Sequence, residues 1–309
     1  MVRQSTRGAG VEPDGSGRIR VEGLGKRFGA VEAVRGLSFT VEPGAVTGFL
    51  GPNGSGKTTT LRAILGLVRP TAGTALVEGL PYGALPNPGR VVGAVLEAQG
   101  VHPARTARRH LHAVGAAVGV GEDRVEAVLG LVGLADAADR PAGGFSLGMN
   151  QRLALATALL GDPRILVLDE PGNGLDPQGI AWLREFLRGF ARSGRTVLVS
   201  SHQLAELGQI VDRLVVLDAG TCVYQGATDG MRGRAAVRVR CADPARLAEA
   251  LAARGVLEID HVADGGLAVA ADAVLVGDTA LAAGVALYGL TEERGDLEQM
   301  FLRLTGGAA

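Results

Sequence analysis

The sequence predicts an α/β protein with a smaller α+β unit behind it. Three observations carry that prediction. Residues 51–58 read Gly-Pro-Asn-Gly-Ser-Gly-Lys-Thr, between a stretch of apolar residues of strand length and a run of helical spacing. Short, wholly apolar segments at 165–168 and 196–199 flank an amphipathic helical stretch. From residue 236 onward the order changes to strand, helix, strand, strand, helix, strand, which is the ferredoxin-like order.

Taken in chain order, residues 1–17 carry little apolar content and lack the apolar core of a secretory signal, so they are expected to be a disordered lead-in. The first domain is expected over 18–229. Ile19 and Val21 alternate with charges, and residues 37–41 alternate as well, so both read as strands. Glu42-Pro43-Gly44 is a turn into the strand at 46–50. Leu61, Ile64, Leu65 and Val68 then recur at helical spacing. Residues 75–77 and 91–96 read as strands separated by a Pro- and Gly-rich loop, and 104–160 as mainly helical. The helix at 179–192 places Trp182, Leu183, Phe186, Leu187 and Phe190 along one side. Strands at 214–217 and 221–224 close the domain around the turn Asp218-Ala219-Gly220. A C-terminal accessory domain is expected over 230–309, with strands at 236–240, 257–261, 267–271 and 285–288 and helices at 244–254, 273–283 and 296–304.

Composition excludes several classes. Lys plus Arg (31) and Asp plus Glu (32) nearly cancel, so no basic footprint points to nucleic acid. Mean hydropathy is positive at +0.22, yet no stretch of about 18 apolar residues occurs, so no segment is expected to span a bilayer. Cys222 and Cys241 fit a reducing cytosol and are expected to be packing residues.

The chemistry lies in four segments. Residues 51–58 fill every fixed position of a phosphate-binding loop: glycines let backbone N–H groups turn towards phosphate oxygens, Lys57 supplies a point charge, and the Thr58 hydroxyl suits Mg²⁺. The helix that follows points its positive end at the same place. An apolar strand running into Asp169 and Glu170 supplies a metal-holding carboxylate and a carboxylate that polarises water. His202 follows the strand at 196–199 after two serines and is placed to contact a γ-phosphate and position water. Ser146 and Gly148 open a long helix and suit an anion; taken alone, that segment reads equally as an N-cap.

In this order and at this spacing, the segments resemble the ABC transporter ATPases from about residue 18 to 229. The resemblance implies a phosphate-loop ATPase domain with a RecA-like core, an antiparallel β subdomain and a helical subdomain. It implies ATP and Mg²⁺ as cofactors. Phe28 matches the aromatic that stacks on adenine, and Gly51, Pro52, Asn53, Gly54, Ser55, Gly56, Lys57, Thr58 and Thr59 match the Walker A segment. Residues 165–170 match Walker B with Glu170 as the catalytic carboxylate, 146–149 the signature segment, 173–176 the D-loop, and His202 the switch histidine. Thr58, Asp169 and Glu97 are the implied metal contacts. The resemblance further implies head-to-tail pairing of two ATPase domains, each ATP lying between Walker A of one and the signature helix of the other. One set of motifs per chain makes a homodimer the simplest partner arrangement. An integral-membrane permease, with this chain peripheral on the cytoplasmic face, completes the expected assembly.

The chain departs from the family in places. Leu147 and Met149 stand at the third and fifth positions of the usual Leu-Ser-Gly-Gly-Gln signature, and Glu97 stands where a Gln is usual, with Gln99 as an alternative register. A charged carboxylate at Glu97 either tightens the metal or repels the γ-phosphate; the tolerated-variant reading expects Glu97→Gln to retain hydrolysis. The Phe-Ser-Leu-Gly-Met spelling at 145–149 is similar to the bacitracin- and lantibiotic-immunity branch. The tail at 296–305 is similar to the ending of ABC-2-type export ATPases. Arg105, Arg108, Arg109 and His110 form a basic cluster that reads either as a solvated face or as a docking surface for the membrane subunit. The competing readings are a soluble ABC ATPase acting on ribosomes, which usually carries two cassettes, and a weakly active ATP-sensing regulator.

Overall fold

A computed structural model of the chain describes residues 13–96, 101–202, 208, 210–231, 236–262, 265–293 and 297–305. The chain divides into two compact units, Met1–Gln225 and Gly226–Ala309. In the first, strands β1 (Ile19–Phe28), β2 (Val31–Val41) and β4 (Ala72–Val77) form an antiparallel sheet in the order β2-β1-β4. Strands β3 (Val46–Leu50), β5 (Val92–Val95), β6 (Ile165–Asp169), β7 (Thr196–Ser201), β8 (Arg213–Asp218) and β9 (Thr221–Ala227) form a second sheet in the order β5-β6-β7-β3-β8-β9. β5, β6, β7, β3 and β8 run parallel. Buried on both faces, β3, β6 and β7 lose any alternation and read as continuous apolar runs, as fully covered parallel strands must. Phe39 of β2 and Phe49 of β3 lie 5.2 Å apart between ring centroids and join the two sheets in one core.

Helix α1 (Lys57–Ile64) follows β3, and α2 (Pro88–Val91) is a single turn before β5. Helices α3 (Ala107–Val118), α4 (Glu122–Leu131) and α5 (Leu147–Leu159) account for the helical region expected between 104 and 160. α6 (Pro177–Arg192) is capped by Asp176, whose side chain accepts from Gly179 N–H at 2.7 Å, and it buries Leu183, Leu187 and Phe190.

Two expectations for the first unit are corrected. The first strands are longer than the alternation indicated, because bulges at residues 21–27 break the period of two. The expected lead-in ran to 17, but residues 14–17 are tied down. Asp14 N–H donates to Glu78 O at 3.1 Å, Gly17 N–H to Glu78 Oε1 at 3.2 Å, and the Thr196 hydroxyl to Gly17 O. Glu78 is only 1% exposed, and its buried carboxylate is satisfied by the Gly17 N–H and by Arg164 at 3.2 Å.

The second unit holds α7 (Thr228–Met231), β10 (Ala236–Cys241), α8 (Pro244–Ala253), β11 (Ile259–His261), β12 (Leu267–Val269), α9 (Ala273–Ala283), β13 (Leu287–Glu293) and α10 (Leu297–Leu304). Its sheet runs β11-β12-β10-β13 with every pair antiparallel, which is the split βαβ topology of the ferredoxin-like order. The last strand starts two residues later than expected and runs on to Glu293. Val285 instead packs into the core below α9 as the chain leaves the helix at Gly284.

Candidate active site

Parallel pairing aligns the strand ends that carry the chemistry. Asp169 at the end of β6 lies opposite Ser200 of β7, and Ser201 lies opposite Leu50 at the end of β3. The phosphate loop leaves β3 at that same carboxyl edge, where open α/β sheets bind ligands. Gly56 turns the loop into α1 with φ 100°, and a Cβ there would lie 2.5 Å from Ala33 O, so only glycine fits. α3, α5 and α6 carry capping side chains and α4 has acidic residues in its first turn, whereas α1 has neither. Its first N–H groups and dipole are therefore left for an external anion.

Lys57 is buried, and its ammonium donates to Gly51 O at 2.6 Å and Pro52 O at 3.2 Å. Burial pushes its pKa down, against a smaller upward pull from Glu170 and then Asp169. The Thr58 hydroxyl donates to Asp169 Oδ2 at 2.8 Å, and the Ser200 hydroxyl donates to Asp169 Oδ1. Glu170 N–H donates to Ser200 O at 3.2 Å and Ser200 Oγ at 3.1 Å. His202 Nδ1 donates to Glu170 Oε2 at 2.9 Å. Glu170 itself sits in the left-handed region with φ 51°. Lys57, Thr58, Asp169, Glu170 and His202 are thus brought into one cluster at the mouth of the phosphate loop.

Ser200, one of the two serines before His202, is a site residue that no motif marks. Its signal is positional: a hydroxyl at the end of the strand that pairs with the Asp-Glu strand. It holds both members of that pair, Asp169 by its hydroxyl proton and Glu170 by its oxygen.

Ser146 and Gly148 lie elsewhere. Ser146 caps α5, its Oγ accepting from Met149 N–H at 3.2 Å. Both residues line a cleft of about 480 Å³ with Arg152, Gly174, Leu175 and Asp176; no residue of the phosphate loop lines it. Phe28 ends β1, half exposed, with the Lys26 ammonium 4.7 Å from its ring centroid. Glu97 and its alternative Gln99 lie outside the described residues. Of the basic cluster, Arg108 is engaged by Asp139 at 3.0 Å and by Glu126, and His110 Nε2 meets the Thr157 hydroxyl at 3.1 Å. Arg105 and Arg109 are exposed.

Comparison with known proteins adds three findings. The pattern of the family described as ABC transporter matches residues 34–173, and that of a domain of unknown function (DUF8746) matches 235–298. The chain is 39% identical to the Nod factor export ATP-binding protein I of Burkholderia lata over 74% of this chain and 78% of that protein. It is 37% identical to the bacitracin transport ATP-binding protein BcrA of Bacillus licheniformis, over 70% of this chain and 72% of that one. Among solved structures, an ATP-binding subunit of an ABC transporter superposes with TM-score 0.64 at 28% identity, covering 69% of this chain and 91% of that one.

Proposed function

The chain belongs to the ABC transporter ATPases, and from that premise we propose that it is the ATP-hydrolysing subunit of an ABC-2-type exporter. In this reading it drives a drug, peptide antibiotic or lipid out of the cell through a separate membrane subunit. The observation that carries the hydrolytic part is the cluster of Lys57, Thr58, Asp169, Ser200, Glu170 and His202 at one strand edge. The export part draws on the relatives, which are named as export and transport subunits.

Each residue takes a role that its contacts support. Residues 51–59 cradle the triphosphate with backbone N–H groups and the α1 dipole, and Lys57 exchanges its carbonyl acceptors for phosphate oxygens. Glu170 orients and polarises the attacking water, and His202 holds the Glu170 carboxylate by one ring nitrogen. Phe28 offers a ring to the adenine. Ser146 and Gly148 serve the ATP of a partner, a role supported by their lining a cleft that no residue of their own chain's phosphate loop lines.

The donor set fits Mg²⁺. Asp169 and Thr58 present hard oxygens 2.8 Å apart, and Mg²⁺ is usually held by one or two carboxylates together with substrate phosphates. Thr58 and Asp169 would hold it, with Glu97 as a third candidate. When bound, the ion neutralises charge that develops on the phosphates.

The proposed assembly is a homodimer docked to an integral-membrane permease on the cytoplasmic face, with no nucleic-acid partner. Among the described residues no helix is long and apolar enough to cross a membrane. The deciding measurement is phosphate release from Mg-ATP by the purified protein and by Glu170→Gln. A loss of about a hundred-fold or more is expected; equal rates would leave the ATP-sensing regulator as the better reading. Co-purification with a membrane subunit tests the export half.

A further inference from the structure

We infer that Leu147 is a positioning residue that locks the signature turn onto the loop 173–176 of its own chain. Leu147 is an apparent misfit: a large apolar side chain, 55% exposed, at the first residue of an anion-suited helix. Its surroundings explain it. Gly174 lies directly beneath it, and a Cβ at Gly174 would come 1.9 Å from Leu147 Cδ2 and 2.7 Å from its Cγ. The reverse fit occurs one residue on, where a Cβ at Gly148 would meet Leu175 Cδ2 at 3.4 Å. Leu147 therefore sits over Gly174 while Leu175 approaches Gly148, large on small in both directions. Arg152, one turn further along α5, stacks on Trp182 of α6 at 4.7 Å and donates to Val132 O at 3.3 Å.

The consequence is specific to the residues between these contacts. Ser146 caps α5 and Asp176 caps α6, and each cap lies next to a member of the interlock. The two helix starts are held as one piece, so the direction of the Ser146 hydroxyl and the Gly148 N–H is set by Leu147 as much as by α5. Leu147 touches no reacting group in this scheme and acts through Ser146 and Gly148. The inference rests on the proposal that these two residues serve a partner's ATP.

The test is a double-mutant cycle on the full-length protein, reading kcat and KM for Mg-ATP in Gly174→Ala, Leu147→Gly and the double variant, with Ser146→Ala as a separate arm. Gly174→Ala is expected to lower kcat about ten- to a hundred-fold while KM stays within about two-fold, because ATP remains held by the phosphate loop of its own chain. Alanine at Gly174, where φ is +75°, carries backbone strain whatever its neighbour, so the double variant is the deciding one. Leu147→Gly alone is expected to lower kcat because the lock is lost, and, with the clash gone, the double variant is expected to match Leu147→Gly rather than fall further. Losses that simply multiply in the double variant overturn the interlock. If Gly174→Ala does not fold, as judged from the emission of the sole tryptophan, Trp182, the interlock stands on the double variant recovering the fold together with the kcat of Leu147→Gly and falls if it does not. Ser146→Ala separates the two layers: unchanged kcat there overturns the underlying reading, whereas lowered kcat with an additive cycle overturns this inference alone.

Discussion

Lys57 shows how burial and chemistry pull against each other in a single side chain. Burial lowers its pKa below the ordinary lysine value, and only the ammonium form can hold phosphate. ATP affinity is therefore expected to weaken as pH rises, beginning earlier than an ordinary lysine pKa of about 10.4 would allow. Glu170 pulls that pKa upward, so Glu170→Gln is expected to move the weakening to still lower pH; titrating ATP binding calorimetrically across the alkaline range checks both statements. Ser200 yields a second expectation. It grips Asp169 and the Glu170 backbone without facing a substrate, so Ser200→Ala is expected to cost about ten-fold in kcat, well short of Glu170→Gln. A Ser200→Ala rate indistinguishable from wild type would remove Ser200 from the site.

Elements fit together at a few points where two backbones nearly touch. Gly161, just after α5, is such a point: a Cβ there would lie 1.8 Å from Gly89 O in α2. Gly161→Ala is expected to destabilise the first unit by about 3 kcal/mol, readable as a lowered midpoint in urea. No periodicity in the sequence announced this contact, because a glycine after a helix also reads as an ordinary C-cap. The same limit explains what else was legible. The phosphate-loop strand, the Asp-Glu strand and their helices could be read because local spelling and three-dimensional role coincide there. β2 could be read only in its second half, since Gly36 and the bulges opposite interrupt alternation without ending the strand. The contacts of Ser200 and Gly174 could not be read for a different reason: they involve partners 31 and 27 positions away in the sequence, Asp169 and Leu147, through a strand register and a loop contact that no local pattern encodes.

At the scale of the whole molecule, each of the two compact units carries a hydrophobic core of its own among the described residues. Thermal unfolding is therefore expected to depart from a single two-state transition. Mg-ATP is expected to raise the transition of the first unit by mass action and leave the second where it was. Calorimetry with and without nucleotide checks this, and a uniform shift of one cooperative peak would contradict it. The single set of motifs has a matching consequence in solution: Glu170→Gln is expected to run as a dimer with Mg-ATP and as a monomer without it.

The left-handed backbone at Glu170 carries a further implication. With φ 51°, a side chain at this position costs about 1 kcal/mol relative to glycine. The residue proposed to polarise the attacking water is thus one the fold would rather lose. Glu170→Gly is expected to end turnover while leaving the protein as stable as before, or slightly more so. A cell that screens its proteins by how well they fold has no means of noticing that change. A lineage carrying this chain would keep an intact, well-folded and idle copy for as long as selection on export itself was relaxed.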